Sequence, residues 1–302
     1  MADLSTTIGS LRIKNPTLLA SGIMDEDAGS IQRMIDCGAG AIVTKSIGMQ
    51  PREGYANPTI LELEFGLLNA MGLPNPGIDQ YGNEMKQLKK SKIPIIGSIY
   101  AADTQEFVML ASKMKQYGAA GVELNVSCPH AKRYGLEVGC DTILLQTIVS
   151  SIKQKVRIPV FVKLSPNVVN IVEIAQAAEK GKADAIVAIN TVKGMKIDLE
   201  TTHPILANKT GGYSGKAIKP IGVRCVYDIA QSVKIPVIGV GGITTGEDAI
   251  EYFMAGASAI QIGSAVYYRG PDVFKQVCKE INNWMEIHGY KKISELIGAA
   301  HQ

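Results

Sequence analysis

Residues 235–266 read IPVIGVGGITTGEDAIEYFMAGASAIQIGSAV. Two short Val- and Ile-rich runs, PVIGVGGI and AIQIGSAV, flank a stretch of helix length, and neither run alternates with polar residues as a half-exposed strand would. The first run is entered through Ile235-Pro236, the second through the small-residue turn AGAS. Proline fits the first position of a strand, and glycine terminates the preceding helix. The unit therefore reads as strand, helix, strand, with both strands covered on two faces as in a parallel sheet.

The unit recurs. Eight runs, TLLASGI, AIVTKS, PIIGSIY, GVELNVSC, PVFVKLSPN, AIVAINTV, PVIGVGGI and AIQIGSAV, are separated by amphipathic stretches. Ile93-Pro94, Ile158-Pro159 and Ile235-Pro236 introduce three of them, CGAGAIV, YGAAGVEL, GKADAIV and AGASAIQI introduce four, and the two kinds alternate. That beat predicts an α/β fold, a closed (β/α)8 TIM barrel rather than an open doubly wound sheet, as a single domain over residues 1–302. TIGSLRIKNP predicts an N-terminal hairpin closing the barrel bottom, and the segment after Trp284 a final helix with a short coda. Stretches between Gly48 and Pro76, Pro129 and Asp141, and Gly194 and Lys219 break the beat. All three follow even-numbered strands, so they are expected as inserted loops at the C-terminal face, where barrel sites lie.

The chain is 46% hydrophobic and 20% charged, with 31 glycines and a formal charge of +3. Lys and Arg are spread evenly, with no basic stripe interleaved with aromatics, which argues against a nucleic-acid partner. No apolar run approaches the ~18 residues of a membrane span, and MADLSTTIGS lacks a basic region followed by an apolar core. A cytoplasmic protein without a membrane partner is expected. Cys37, Cys128, Cys140, Cys225 and Cys278 are odd in number and never form a CxxC pair, so neither a disulfide framework nor a metal or iron–sulfur site is signalled.

Residues ending the strands of a barrel face its site. In order these are Ala20-Ser21-Gly22, Lys45-Ser46, Gly97-Ser98, Asn125 to Cys128, Lys163 to Ser165, Asn190-Thr191, Gly241-Gly242 and Gly263-Ser264. The glycines of the last two ends, with helix N-termini behind them, match a phosphate site; tight βα turns are the plainer reading. GGYSGKAIKP, from Gly211 to Pro220, offers a third glycine-rich contact. Lys45 and Lys163 are costly in a strand interior unless an anion meets them, so the ligand is expected to carry charge beyond a phosphate. Asn69, Asn125 and Asn190 offer donors and acceptors suited to a pyrimidine, although each alone is as well explained by a turn. Cys37, Cys225 and Cys278, in helix-like segments, are expected as buried structural thiols. Cys128 ends the fourth run beside Asn125 and opens a loop rich in Gly, Lys and Arg, which suits a base or nucleophile. A redox pair between Cys128 and Cys140 is the alternative.

Taken together, NPTLLASG, VTKS, NAMGLPNPG, ELNVSCP, VKLSPN, INTVKG, LANKTGGYSGKAIKP, VIGVGGI and MAGASAIQIGSA resemble the dihydroorotate dehydrogenase family over nearly the whole chain. The resemblance is to catalytic subunits of its cysteine-base, NAD-linked class (1B). It implies one FMN per chain and the oxidation of dihydroorotate to orotate in pyrimidine biosynthesis. By the same resemblance Cys128 is the base that removes the proton from ring carbon 5, while hydride passes from carbon 6 to the flavin. Lys45, Asn69, Ala70, Met71, Gly72, Leu73, Asn125, Asn190 and Thr191 would hold the substrate. Ser21, Lys45, Ser46, Asn125, Lys163, Ile189, Gly215, Gly241, Gly242, Gly263 and Ser264 would hold FMN. The implied partners are a second copy of this chain and a subunit carrying FAD and a [2Fe–2S] cluster. Membrane-linked relatives use serine where this chain has Cys128. His130 departs from the family pattern, which has Asn after Cys-Pro. Histidine also occurs there in dihydropyrimidine dehydrogenase domains, so reduction of uracil or thymine stays open, as does the fumarate-using branch. A phosphosugar isomerase or aldolase would use the same glycines without the Asn triad and Cys128. Polar residues at all eight strand ends argue against a scaffold without catalysis.

Overall fold

The structure, a computed structural model, describes residues 2–126 and 139–301. Eight parallel strands close into a barrel in chain order: β3 (Thr17–Leu19), β4 (Ala41–Val43), β7 (Ile95–Ile99), β8 (Gly121–Asn125), β9 (Val160–Leu164), β10 (Ala185–Ala188), β13 (Val237–Val240) and β14 (Ala257–Ile262). Each expected run supplies one of them. Around them run α1 (Ala28–Asp36), α2 (Ile78–Leu88), α3 (Thr104–Tyr117), α4 (Thr142–Lys155), α5 (Ile171–Lys180), α6 (Lys219–Ala230), α7 (Gly246–Met254), α8 (Ala265–Arg269) and α9 (Val273–His288). Asp27, Asp103, Asp141, Asn170 and Thr245 cap α1, α3, α4, α5 and α7 through their side chains, satisfying amides that have no partner within a helix.

Strand alternation divides the buried residues in two. Side chains facing outward join the helices in the main core, including Leu19, Ile42, Val122, Leu124, Val162 and Ile260. Those facing inward include Leu18, Ala41, Val43, Ile96, Phe161, Val187, Ile238 and Ala259. The hairpin of β1 (Thr6–Ile8) and β2 (Leu11–Ile13) adds Ile8 and Ile13 to this inner cluster. It is the expected plug of the barrel floor.

Two inserted segments, expected as loops, form a sheet instead. β5 (Ile60–Leu63) and β6 (Gly66–Asn69) come from the first, β11 (Val192–Gly194) and β12 (Gly211–Ser214) from around the last, in the order β11-β12-β6-β5. The joining pairs are Gly212↔Asn69, Tyr213↔Leu68 and Ser214↔Leu67. Glycine permits the approach, since a Cβ on Gly66 would lie 1.9 Å from the Ser214 carbonyl oxygen. Most of the middle insertion, with Cys128, Pro129 and His130, lies outside the described residues.

Two smaller expectations are corrected. The last helix, α9, contains Trp284 rather than following it, and the coda is a pair of 3-10 turns, Ile293–Glu295 and Ala299–His301. Trp284 belongs to the helix because its indole stacks on His288, one turn further on, at 3.8 Å between ring centroids. Of the three thiols expected to be buried, only Cys225 is fully so. Cys37 is the partly exposed C-cap of α1, and Cys278 is partly covered, its thiol pushed up to about 11 by burial.

Buried Tyr252 of α7 ties the helix layer to the barrel mouth, its hydroxyl donating to the Gly241 carbonyl at 2.7 Å. Gly222 of α6 makes room for it, because a Cβ there would sit 1.9 Å from that hydroxyl. Gly222→Ala should therefore lower unfolding stability by about 1–3 kcal/mol through overpacking. Tyr252→Phe should lower it by about 1 kcal/mol through the lost hydrogen bond. Urea titrations followed by circular dichroism check both values.

Candidate functional site

A cavity of about 380 Å³ opens at the C-terminal mouth of the barrel. Ser21 and Gly22 follow β3, Lys45 and Ser46 follow β4, and Asn125 and Lys163 come from β8 and β9. Ile189 to Thr191, Gly241 to Ile243, and Gln261, Gly263 and Ser264 complete the barrel side of the wall. The inserted sheet and its flanks add Ile60, Leu67, Asn69, Met71 to Pro74, Ser214 and Gly215.

Several expected positions are not on that wall: Gly97, Ser98, Val126, Leu164 and Ser165 of the strand ends, and Ala70. Ala70 packs with Leu68 and Leu206 beneath the inserted sheet, because its side chain falls on the face opposite Asn69. Ser98 is fully buried behind Ser46, with the two hydroxyl oxygens 2.8 Å apart. Ser46 also accepts from Asn125 Nδ2 at 3.0 Å and lies 3.3 Å from Ser21. Ser98 thus orients a wall residue rather than serving as one. Asn69 Nδ2 donates to the Gly212 carbonyl at 3.3 Å, and the Asn190 side-chain oxygen accepts from the Thr191 N–H at 2.8 Å. These contacts set which edge of each carboxamide faces the cavity.

Gly241, Gly242 and Gly215 all have positive φ, of 126°, 70° and 102°. A Cβ on Gly242 would lie 2.8 Å from the Gly215 carbonyl oxygen, so the turn after β13 and the end of β12 meet backbone to backbone. The N–H groups of Gly241, Gly242, Gly263 and Ser264 have no hydrogen-bond acceptor among the described residues. Four such donors on two adjacent turns suit an anion. The helix terminus expected to assist them is already engaged. Asp248 accepts from the Thr244 and Thr245 N–H groups at 2.9 Å, and Glu280 accepts from the Gly246 N–H at 2.7 Å. After β13 anion recognition rests on the turn alone, whereas after β14 Ser264 is itself the N-cap of α8.

Both strand-end lysines have carboxylate partners that the sequence reading missed. Lys45 Nζ lies 2.8 Å from Glu26 at the rim. Lys163, 6% exposed, donates to Gln261 Oε1 at 3.3 Å and lies 3.8 Å from the fully buried Glu123. The available signal was the position of Glu123, a charge inside the apolar run GVELNV. Asp25 was also missed. It is fully buried in the turn after β3, where Oδ2 accepts from the Gly22 N–H at 2.6 Å and Oδ1 has no hydrogen-bond partner among the described residues. Burial lifts its carboxyl to about 6, against the opposing pull of the Gly22 N–H and Lys45. Among the described residues no cluster could hold a metal ion, and no helix is long and apolar enough to cross a membrane. Cys128 and His130 lie outside the described residues.

The fold and site define a (β/α)8 barrel with an anion-binding turn and a cation-lined, carboxamide-lined cavity at its C-terminal mouth. The family model for dihydroorotate dehydrogenase matches residues 3–285. Similar proteins include the dihydroorotate dehydrogenase B (NAD(+)) catalytic subunits of Thermoplasma acidophilum and Methanocaldococcus jannaschii. The first is 52% identical over 300 residues, covering 99% of both chains. The second is 52% identical over 303 residues, covering 99% of this chain and 98% of the relative. A subunit of the same name from Pyrococcus abyssi is 49% identical over 297 residues, 98% of this chain and 99% of its own. The chain belongs to the dihydroorotate dehydrogenase family.

Asp25 generates a pH prediction. Its folded-state carboxyl holds a proton more firmly than the ordinary value of 3.8 allows, so its contribution to stability is complete below that value and lost as pH rises through about 6. At pH 8 the buried charge should lower stability by up to about 3 kcal/mol relative to acid. Asp25→Asn keeps an acceptor for the Gly22 N–H and removes the titration. Its melting temperature relative to wild type should rise between pH 4 and pH 8, and a constant difference would contradict the assignment.

Proposed function

We propose that this chain is the catalytic subunit of an NAD-linked dihydroorotate dehydrogenase, oxidising dihydroorotate to orotate in cytoplasmic pyrimidine synthesis. The observation that carries this reading is the convergence on one cavity of the amide-lined turns, buried Lys163 and three carboxamides, in a chain about half identical to subunits bearing that name.

The residues fit FMN. The N–H groups of Gly241, Gly242, Gly263 and Ser264 would take its phosphate, with Gly215 allowing the close approach. Ser21, Lys45, Ser46, Asn125, Lys163 and Ile189 would contact the remainder. When bound, FMN supplies the two-electron acceptor that amino-acid side chains lack. Asn69, Asn125, Asn190 and Thr191 would present donors and acceptors to the pyrimidine, Lys45 would balance its charge, and Met71, Gly72 and Leu73 would cover it. Ala70 would support that cover from behind. Cys128 would remove the proton at ring carbon 5, and His130 would meet the substrate carboxylate in place of the family's Asn. The name of the relatives, a catalytic subunit linked to NAD(+), supports a partner subunit; that subunit would carry FAD and a [2Fe–2S] cluster to pass electrons to NAD, and a homodimer of this chain would form the centre of the assembly.

Purified protein should carry flavin absorbance that bleaches on anaerobic mixing with dihydroorotate. A colourless chain that FMN cannot reconstitute would refute the proposal, and bleaching by dihydrouracil alone would move the reading to pyrimidine reduction. Cys128→Ala should keep its flavin and bleach about 10²–10⁴-fold more slowly, the usual worth of a positioned base. Gly263→Ala separates ligand from fold, since its Cβ would meet only Ala20 Cβ, at an ordinary 3.6 Å. This variant should fold as wild type but bind FMN more weakly by equilibrium dialysis.

A further inference from the structure

Between the apolar floor of the barrel and the cavity lies one layer of polar side chains. Phe161 and Ala259 face inward, so two residues on, Lys163 of β9 and Gln261 of β14 face inward as well. Glu123 of β8 meets both. Its Oε2 accepts from Gln261 Nε2 at 2.6 Å, while its Oε1 accepts no hydrogen bond among the described residues and lies 3.8 Å from Lys163 Nζ. Gln261 returns its own oxygen to Lys163 Nζ at 3.3 Å. The amide therefore bridges the two charges and holds them just apart.

A carboxylate with 0% exposure is tolerated only against a counter-charge. Lys163 supplies it, yet this lysine also lines the cavity. Among the described residues its three N–H donors face one hydrogen-bond acceptor, at 3.3 Å, which leaves donors for a ligand. The same positive charge must serve the buried carboxylate below and whatever arrives above. In a site shielded from water, a change in either partner is felt by the other.

We propose that Glu123 is a positioning residue that sets how much of the Lys163 charge is available to a flavin ring, and that it thereby holds the two-electron potential of the flavin below the value Lys163 alone would set. The proposal rests on the reading of the cavity as an FMN site. Two electrons and one proton taken up by the ring leave it with one net negative charge. Lys163 stabilises that charge and Glu123 opposes it. Catalysis that must pass electrons onward gains from this opposition, because a flavin held too oxidising by a bare cation would retain them.

The test uses the FMN-loaded chain and its Glu123→Gln variant, with two readouts that do not depend on turnover. Sulfite adds to oxidised flavin and places a negative charge on the ring, so its dissociation constant reports the local field. Glu123→Gln should bind sulfite about tenfold more tightly, and its potential against a reference dye should rise by about 30 mV, the equivalent of tenfold for a two-electron couple. Glu123→Asp keeps the charge and should stay within about threefold of wild type. If Glu123→Gln yields no folded flavoprotein, Gln261→Met is read instead. That change removes the amide that bridges the two charges and leaves Lys163 as the remaining polar partner of Glu123 among the described residues, so it should draw the lysine toward Glu123 and weaken sulfite binding about tenfold. FMN bound normally with sulfite affinity and potential unmoved in the variant overturns this proposal alone. A wild-type chain that takes up no FMN overturns the cavity reading and this proposal with it.

Discussion

A strand sends every second side chain to the same face, and eight short parallel strands closed on themselves leave few inward positions each. That constraint gives the barrel its three levels. The lowest is apolar and is sealed by Ile8 and Ile13 of the hairpin. The middle level holds Glu123, Lys163 and Gln261, and the residues just past the strand ends form the cavity wall. Polar chemistry is confined to the upper two levels because below them no water or ligand can satisfy it. The pairing Asn125↔Lys163 between β8 and β9 then places a carboxamide beside an ammonium ion at the base of the cavity.

The rim depends on a second constraint, the backbone approach allowed by glycine. Gly66 lies against Ser214, Gly215 against Gly66, and Gly242 against Gly215. This chain of contacts docks the inserted sheet onto the turn after β13. Tyr252 holds the same turn from outside, between Gly222 and Gly239 of its neighbours. A site assembled from segments far apart in sequence is thus made rigid by close packing of main chain, with side chains left to face the ligand.

Local features were legible in the sequence, and features made by distant contacts were not. The eight strands could be read because burial on both faces makes each an apolar run, seven of them entered through Ile-Pro or a small-residue turn. The glycines after β13 and β14 could be read because their place in the beat is itself informative. The inserted sheet could not, since β6 and β12 pair across more than a hundred residues and neither pattern names its partner. The occupied N-terminus of α7 was also hidden: it depends on Glu280 of α9, which no local motif connects to Gly246. Glu123 and Gln261 could not be paired from sequence, because only closure of the barrel brings β8 and β14 to face each other across it. Ala70 was carried onto the site with its neighbours, although alternation turns it away.

On the proposed function, the turns after β13 and β14 hold a flavin phosphate while Lys163 meets the flavin ring. Diffraction from crystals of the purified chain grown with orotate tests it most directly. The expected result is density for FMN with its phosphate on the N–H groups of Gly241, Gly242, Gly263 and Ser264, and Lys163 Nζ within hydrogen-bond distance of the ring. Density for FMN with its phosphate elsewhere, or a cavity holding orotate and no flavin, would contradict it.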